Sequence, residues 1–189
     1  MNDLAYQYND DMPTELLDGM VYAMSSPSVK HNSVAFNIAT IFNNYLKGKP
    51  CKMIQVTSVK LTERDQPIPD VMIVCNRDII KDDAVYGAPD LIVEILSPTT
   101  AKRDRAYKKN LYANFGVKEY WLVDTNNHAI EVYYNTDGDF ILHDIYQIYP
   151  SNVISYMTDE QKAAIVHEFK TSLFDDLVIK IEDVFDDMI

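Results

Sequence analysis

Hydrophobic positions along this chain follow distinct rhythms, and each predicts a different element. From Val34 to Tyr45 the apolar residues Val34, Ile38, Ile41, Phe42 and Tyr45 recur at three- and four-residue steps. That spacing predicts a long helix, capped by Ser28, running to about Lys47 and stopped by Gly48. Asp70 to Cys75, Leu91 to Leu96 and Glu119 to Asp124 are short apolar runs without alternation, the pattern of strands covered on both faces and therefore central in a sheet. Lys52 to Leu61, with its β-branched residues, reads as extended chain. Ala129 to Tyr134 and Phe140 to Tyr146 read as a hairpin around Asn135-Thr136-Asp137-Gly138-Asp139.

Two further helices and a turn complete the pattern. Between Thr99 and Gly116 the residues Tyr107, Leu111 and Phe115 lie four apart, and glycine follows as the stop. Pro13 to Gly19 reads as one helical turn closed by glycine, leading into a strand from Met20 to Met24, and Thr158 to Phe169 reads as a helix. No repeat, low-complexity tract or linker interrupts the series. The expectation is an α/β fold with a mixed central sheet flanked by helices, one domain spanning residues 1–189.

Composition narrows the classes. A chain of 189 residues suits one sizeable core, and its apolar runs are too short to span a bilayer, so no membrane role is expected. Met1 to Asp11 holds acids and no basic or apolar leader, which points to a cytoplasmic protein. Cys51 and Cys75 form no Cys-x-x-Cys pair and are expected as free, buried thiols. The net charge of −12 argues globally against a phosphate-gripping surface. Locally the balance reverses: from Ala101 to Lys118 the bases Lys102, Arg103, Arg105, Lys108, Lys109 and Lys118 oppose only Asp104. From Ser151 onward nine acids face three lysines, which reads as solvated surface or an interaction tail.

Candidate chemistry sits inside the buried runs. An ionised carboxylate taken out of water costs several kcal/mol, of order 3 or more, unless it is paired or metal-bound, and Glu94 lies in the middle of Leu91-Ile92-Val93-Glu94-Ile95-Leu96. Asp70 opens the strand Val71 to Val74, so pairing of these two strands would set the carboxylates side by side. Two converging oxygen donors suit a hard divalent cation such as Mg²⁺. Asp104, Lys108 and Tyr112 lie four apart on one helix face, which turns Lys108 toward the carboxylates if that face is inward. Taken singly, Glu94 also fits a salt-bridged strand-end acid and Lys108 a solvated helix lysine.

In order along the chain stand Glu15 with Asp18-Gly19, Ser26-Pro27 with His31, Pro69-Asp70, Gly87 to Pro98, Asp104 with Lys108 and Tyr112, and Gly116 to Asp124. This series resembles the Uma-type restriction endonuclease family of the PD-(D/E)XK nuclease superfamily. The resemblance covers roughly Glu15 to Tyr134, and Ala88 to Pro98 with Gly116 to Asp124 are its most specific stretches.

The resemblance implies a restriction-endonuclease-like fold and hydrolysis of DNA phosphodiesters with Mg²⁺ or Mn²⁺. It assigns Asp70 and Glu94 to the metal, helped by the backbone carbonyl of Ile95, and Glu15 to a place near it. The superfamily's simplest lysine position is Leu96 here, so the role passes to Lys108 on the following helix. His31 matches a recurrent position and stays outside the core site. DNA would meet the basic helix surface 102–109 by charge alone, and a homodimer would suit double-strand cutting. Two other readings remain: a nuclease-fold DNA-binding or regulatory module with a vestigial metal site, and a carboxylate-pair glycoside hydrolase that leaves Lys108 without a task.

Overall fold

The computed structural model describes residues 13–186. The N-terminal acids Asp3, Asp10 and Asp11 on which the cytoplasmic expectation rests lie outside them. In chain order the elements are β1 (Thr14–Leu17), β2 (Met20–Ala23), α1 (Val29–Tyr45), β3 (Lys52–Gln55), β4 (Val71–Val74) and β5 (Leu91–Ile95). A second long helix, here α2, runs through residues 101–114, followed by β6 (Glu119–Asp124), β7 (Ala129–Thr136), β8 (Asp139–Gln147), β9 (Glu168–Thr171) and β10 (Phe174–Lys180).

The unalternating runs become the middle of a six-stranded sheet, in the order β3-β4-β5-β6-β7-β8. Every residue of β4 and β5 is buried, as two-sided cover requires. Only β5 and β6 run parallel, joined by the crossover through α2, so the sheet is mixed. Alternate side chains feed two cores. Val71, Ile73, Leu91, Val93, Trp121 and Val123 pack against Val34, Ile38 and Phe42 of α1 on one face. Met72, Val74, Ile92, Tyr120 and Leu122 pack against Tyr112 and Ala113 of α2 on the other. Ser28 accepts from His31 N at 3.2 Å and caps α1. The expected α/β class, a mixed central sheet flanked by helices, is the one observed.

Several local readings are corrected. Pro13 to Gly19 is not a helical turn: β1 and β2 pair as a hairpin reversed by Asp18 and Gly19, whose φ angles of 50° and 72° are both left-handed. Backbone bonds between Leu16 and Gln66 hold β1 to the loop before β4. The helix expected from the Tyr107, Leu111, Phe115 spacing forms, with Tyr107 and Phe115 exposed. The face carrying Asp104, Lys108 and Tyr112 packs inward instead. The helix read over Thr158 to Phe169 stops at Ala163, and Phe169 enters β9 to stack on Tyr146 and pack at a tilt against Trp121. The acidic C-terminal region is thus partly structural: its Leu177, Ile179, Ile181 and Val184 complete the α1-side core.

Cys51 and Cys75 are not free thiols but form a disulfide. Lys52 pairs with Val74, so one step further along the ladder the two cysteines stand directly opposite each other. Spacing along the chain hid what antiparallel register brings together. Among the described residues no helix is long and apolar enough to cross a membrane.

Closing a loop of 24 residues should stabilise the fold by about 3 kcal/mol, or roughly 6–12 °C in Tm. Thermal melts with and without a phosphine reductant, compared with a Cys51→Ala/Cys75→Ala double variant, measure it. Two titratable thiols in unreduced, denatured protein, or a melt indifferent to reductant, would contradict the crosslink.

Candidate active site

β4 and β5 pair antiparallel with Val71 opposite Val93, so one step further Asp70 stands opposite Glu94 on the sheet face covered by α2. Directly opposed residues of an antiparallel pair share a face, which is why one aspartate before β4 and one glutamate within β5 converge. Asp70 is fixed at both oxygens: Ile95 N donates to Oδ2 at 2.7 Å, and His31 Nε2 lies 3.3 Å from Oδ1.

Glu94 is buried, and its Oε1 accepts from Tyr112 Oη at 2.8 Å and from Lys108 Nζ at 3.1 Å. Lys108, also buried, reaches Glu15 Oε2 at 2.8 Å and Asp104 Oδ1 at 3.7 Å. Arg103 adds a longer contact, 3.9 Å from Glu15 Oε1, and lies over the Tyr22 ring of the β1–β2 hairpin. The segment of α2 that delivers Asp104 and Lys108, Asp104–Lys108, is a π-helical turn. Such turns widen a helix locally and favour functional sites. Tyr120 Oη donates to the carbonyl of Asp104 at 3.1 Å and steadies that turn from β6.

The structure therefore brings Asp70, Glu94, Lys108 and Glu15 into one cluster, with Glu15 arriving on a strand rather than a helical turn. Glu15 sits against Lys108 and Arg103. His31, left outside the core site by sequence, touches Asp70 directly. Its sequence signals were the recurrent family position it matches and its place three residues after the Ser28 cap, in the first turn of a long helix. Tyr112, placed on the right helix face without a task, is a direct partner of Glu94.

Electrostatics follow from burial. Desolvation pushes the Glu94 carboxyl well above its ordinary value, against the pull of Lys108, and Asp104, Asp70 and Glu15 push the same way. Asp104 is raised for the same first reason. Burial opposes the charged form of Lys108, yet the charges of Glu94, Glu15 and Asp104 outweigh it and raise the ammonium's pKa. Burial likewise opposes the charged form of His31, but the contact and charge of Asp70 lift it above the usual imidazole value.

With its acids ionised, the cluster sets four carboxylates, Glu15, Asp70, Glu94 and Asp104, against Lys108 and Arg103. That negative excess, held on hard oxygen donors, suits a divalent cation. Among the described residues no group of three or more His, Cys, Asp or Glu side chains is placed to hold a metal ion by itself. The available donors are Asp70, Glu94 and main-chain oxygen, a set compatible with Mg²⁺, which characteristically uses one or two carboxylates and keeps several waters.

The bases of α2 are largely spent on neighbours. Arg105 pairs with Glu131 at 2.8 Å, Lys109 lies over the Tyr133 ring, and Lys118 beyond the helix pairs with Asp90. With Lys108 and Arg103 committed to the cluster, Lys102 and Arg105 are the bases the helix leaves exposed.

Comparison with known proteins places this geometry in context. A family model described as "Uma2: Putative restriction endonuclease" matches residues 2–154. The chain is 33% identical over 136 residues to "Uncharacterized protein slr1290" of Synechocystis sp., covering 68% of this chain and 70% of that protein. In structure it is similar to a putative nuclease belonging to DUF820 from Anabaena variabilis. That match has a TM-score of 0.69 and 18% identity, over 91% of this chain and 89% of the other. The structural likeness speaks for the fold.

Glu94→Gln keeps an acceptor for Tyr112 and Lys108 while deleting the buried charge. Because the folded Glu94 pKa lies above the unfolded value of 4.5, its stabilising contribution is complete below that pH and is lost as pH rises through the folded pKa. Urea denaturation at pH 5 and pH 8 should show E94Q gaining on the wild type as pH rises; a flat or shrinking difference would contradict the burial argument. Lys108→Met, which strands three carboxylates, should instead cost about 3–5 kcal/mol at pH 7.

Proposed function

The chain belongs to the Uma2 family, and from that premise we propose that it is a metal-dependent DNA endonuclease whose site is Asp70, Glu94 and Lys108. One observation carries the reading: two acids opposed on neighbouring strands lie beside a buried ammonium group supplied by the next helix. Asp70, Glu94 and the backbone carbonyl of Ile95 would hold Mg²⁺ or Mn²⁺. When bound, such an ion polarises a phosphodiester and lowers the pKa of a coordinated water.

The chain's own residues do the positioning. Tyr112 and Lys108 hold one oxygen of Glu94, which orients the carboxylate, and Ile95 N does the same for Asp70. Lys108 stays protonated and offsets charge growing on the phosphate, a role in which one preorganised donor is worth about 3 kcal/mol. Glu15 and Asp104 keep that ammonium in place, and Glu15, carried over by resemblance as a further oxygen near the metal, acts on it through Lys108. DNA is the proposed substrate, met by backbone charge on the outer side of α2 at Lys102, with Arg105 beside it partly offset by Glu131, and with binding that weakens as salt rises.

Incubating supercoiled plasmid with protein and Mn²⁺ or Mg²⁺ tests the proposal. The wild type should convert it to open circles, chelation should stop the reaction, and Asp70→Asn, Glu94→Gln and Lys108→Met should each lose roughly 100-fold or more. Equal traces in wild type and variants would mean a contaminating nuclease. Calorimetric Mn²⁺ binding without any cleavage would favour a binding module with a vestigial centre.

A further inference from the structure

His31 occupies a place that the proposed reaction does not yet use. It stands in the first turn of α1, on the layer opposite α2, yet its ring reaches the α2-side cluster at Asp70. Its backbone is pinned, because Ser28 Oγ accepts from His31 N at 3.2 Å. Its side chain is mostly covered, 16% exposed, and Nε2 lies 3.3 Å from Asp70 Oδ1. The other ring nitrogen, Nδ1, is buried without a hydrogen-bond partner among the described residues, with the Asn32 side chain as the ring's other polar neighbour.

Asp70 differs from Glu94 in what holds it. Glu94 is gripped by two side chains of α2, whereas Asp70 precedes β4 and has one main-chain donor, Ile95 N, on Oδ2. The rotation of its carboxylate about that single bond is checked at Oδ1 by His31. A carboxylate that must present a lone pair to a cation at a defined angle gains from a donor on its remaining side, and removing such supporting donors typically weakens metal affinity about 10–100-fold.

We propose that His31 is a positioning residue of this site: by engaging Asp70 Oδ1 it locks the carboxylate in the orientation that accepts the divalent cation. The proposal rests on the reading of Asp70 and Glu94 as the metal-holding pair. It makes the α1 N-terminus, fixed by Ser28, part of the site's support, and couples the two layers flanking the sheet. The ring acts through Asp70 and needs no contact with substrate.

Two substitutions separate this from a merely structural role. Gln places an amide Nε2 at about the reach of the imidazole Nε2 and can restore the contact, whereas Ala cannot. For wild type, His31→Ala, His31→Gln and Glu94→Gln, Mn²⁺ affinity is measured by calorimetry, plasmid nicking as kcat and KM, and folding by thermal melt. The expected result is a loss of Mn²⁺ affinity of about 10-fold or more in H31A, with kcat at fixed subsaturating metal falling while KM for DNA holds. H31Q should recover to within roughly three-fold of the wild type at an unchanged or lower Tm.

Wild-type Mn²⁺ affinity in H31A, or an H31Q no better than H31A, overturns the proposal. If Mn²⁺ binds the wild type and is lost in E94Q but not in H31A, the metal site stands and the role of His31 alone falls. If the wild type binds no Mn²⁺, both fall together.

Discussion

The structure depends on burying one ammonium group among carboxylates. Lys108 cannot leave water unless negative charge meets it, and Glu94 cannot lie inside a two-sided strand unless a donor reaches it. Each makes the other tolerable, and Glu15 and Asp104 complete the arrangement at 2.8 and 3.7 Å. Several architectural features follow. The β1–β2 hairpin must fold back to bring Glu15 in, α2 must cover this sheet face, and its π-helical turn must aim Asp104 and Lys108 inward together. Replacing the set with apolar side chains would satisfy the packing more cheaply, which is the reason to read the cluster as functional rather than stabilising.

How much of this could be read from the chain depended on which physics each feature obeys. Asp70 and Glu94 were legible because a carboxylate beside or within a two-sided apolar run is costly wherever the run lies. Their convergence required only that the two runs pair, and register then did the rest. Lys108 was legible from the four-residue spacing with Asp104 and Tyr112. Features that depend on chain direction in space were not. Pro13 to Gly19 offered the same glycine stop to a helical turn and to a hairpin, and the choice fell to Leu16 pairing with Gln66, fifty residues away.

The other misreadings share that cause. Tyr107, Leu111 and Phe115 share their four-residue spacing with Asp104, Lys108 and Tyr112, but the latter face packs inward and leaves Tyr107 and Phe115 outside. Cys51 and Cys75 are joined by a ladder step invisible in their spacing. Phe169 was drawn out of a helical pattern by the ring faces of Tyr146 and Trp121, a long-range packing preference no local rhythm records.

The same cluster resolves the tension between an acidic chain and an anionic substrate. Of the bases concentrated around α2, Lys108 and Arg103 are committed to carboxylates within the site, and Arg105 and Lys118 to carboxylates outside it. What looks from sequence like a cationic helix therefore leaves Lys102 and Lys109 without a carboxylate partner among the described residues, and the site, with its acids ionised, carries excess negative charge. A phosphodiester approaching that site unaided meets repulsion at short range, where screening by salt is weakest. On the proposed reading a divalent cation would offset that excess as well as supply reactivity, which would favour contact with DNA. On that reading the acidic composition does not count against a nuclease: with few unpaired bases, the chain would bind DNA weakly until the ion is in place, and the ion would add to the hold of the exposed bases on the backbone.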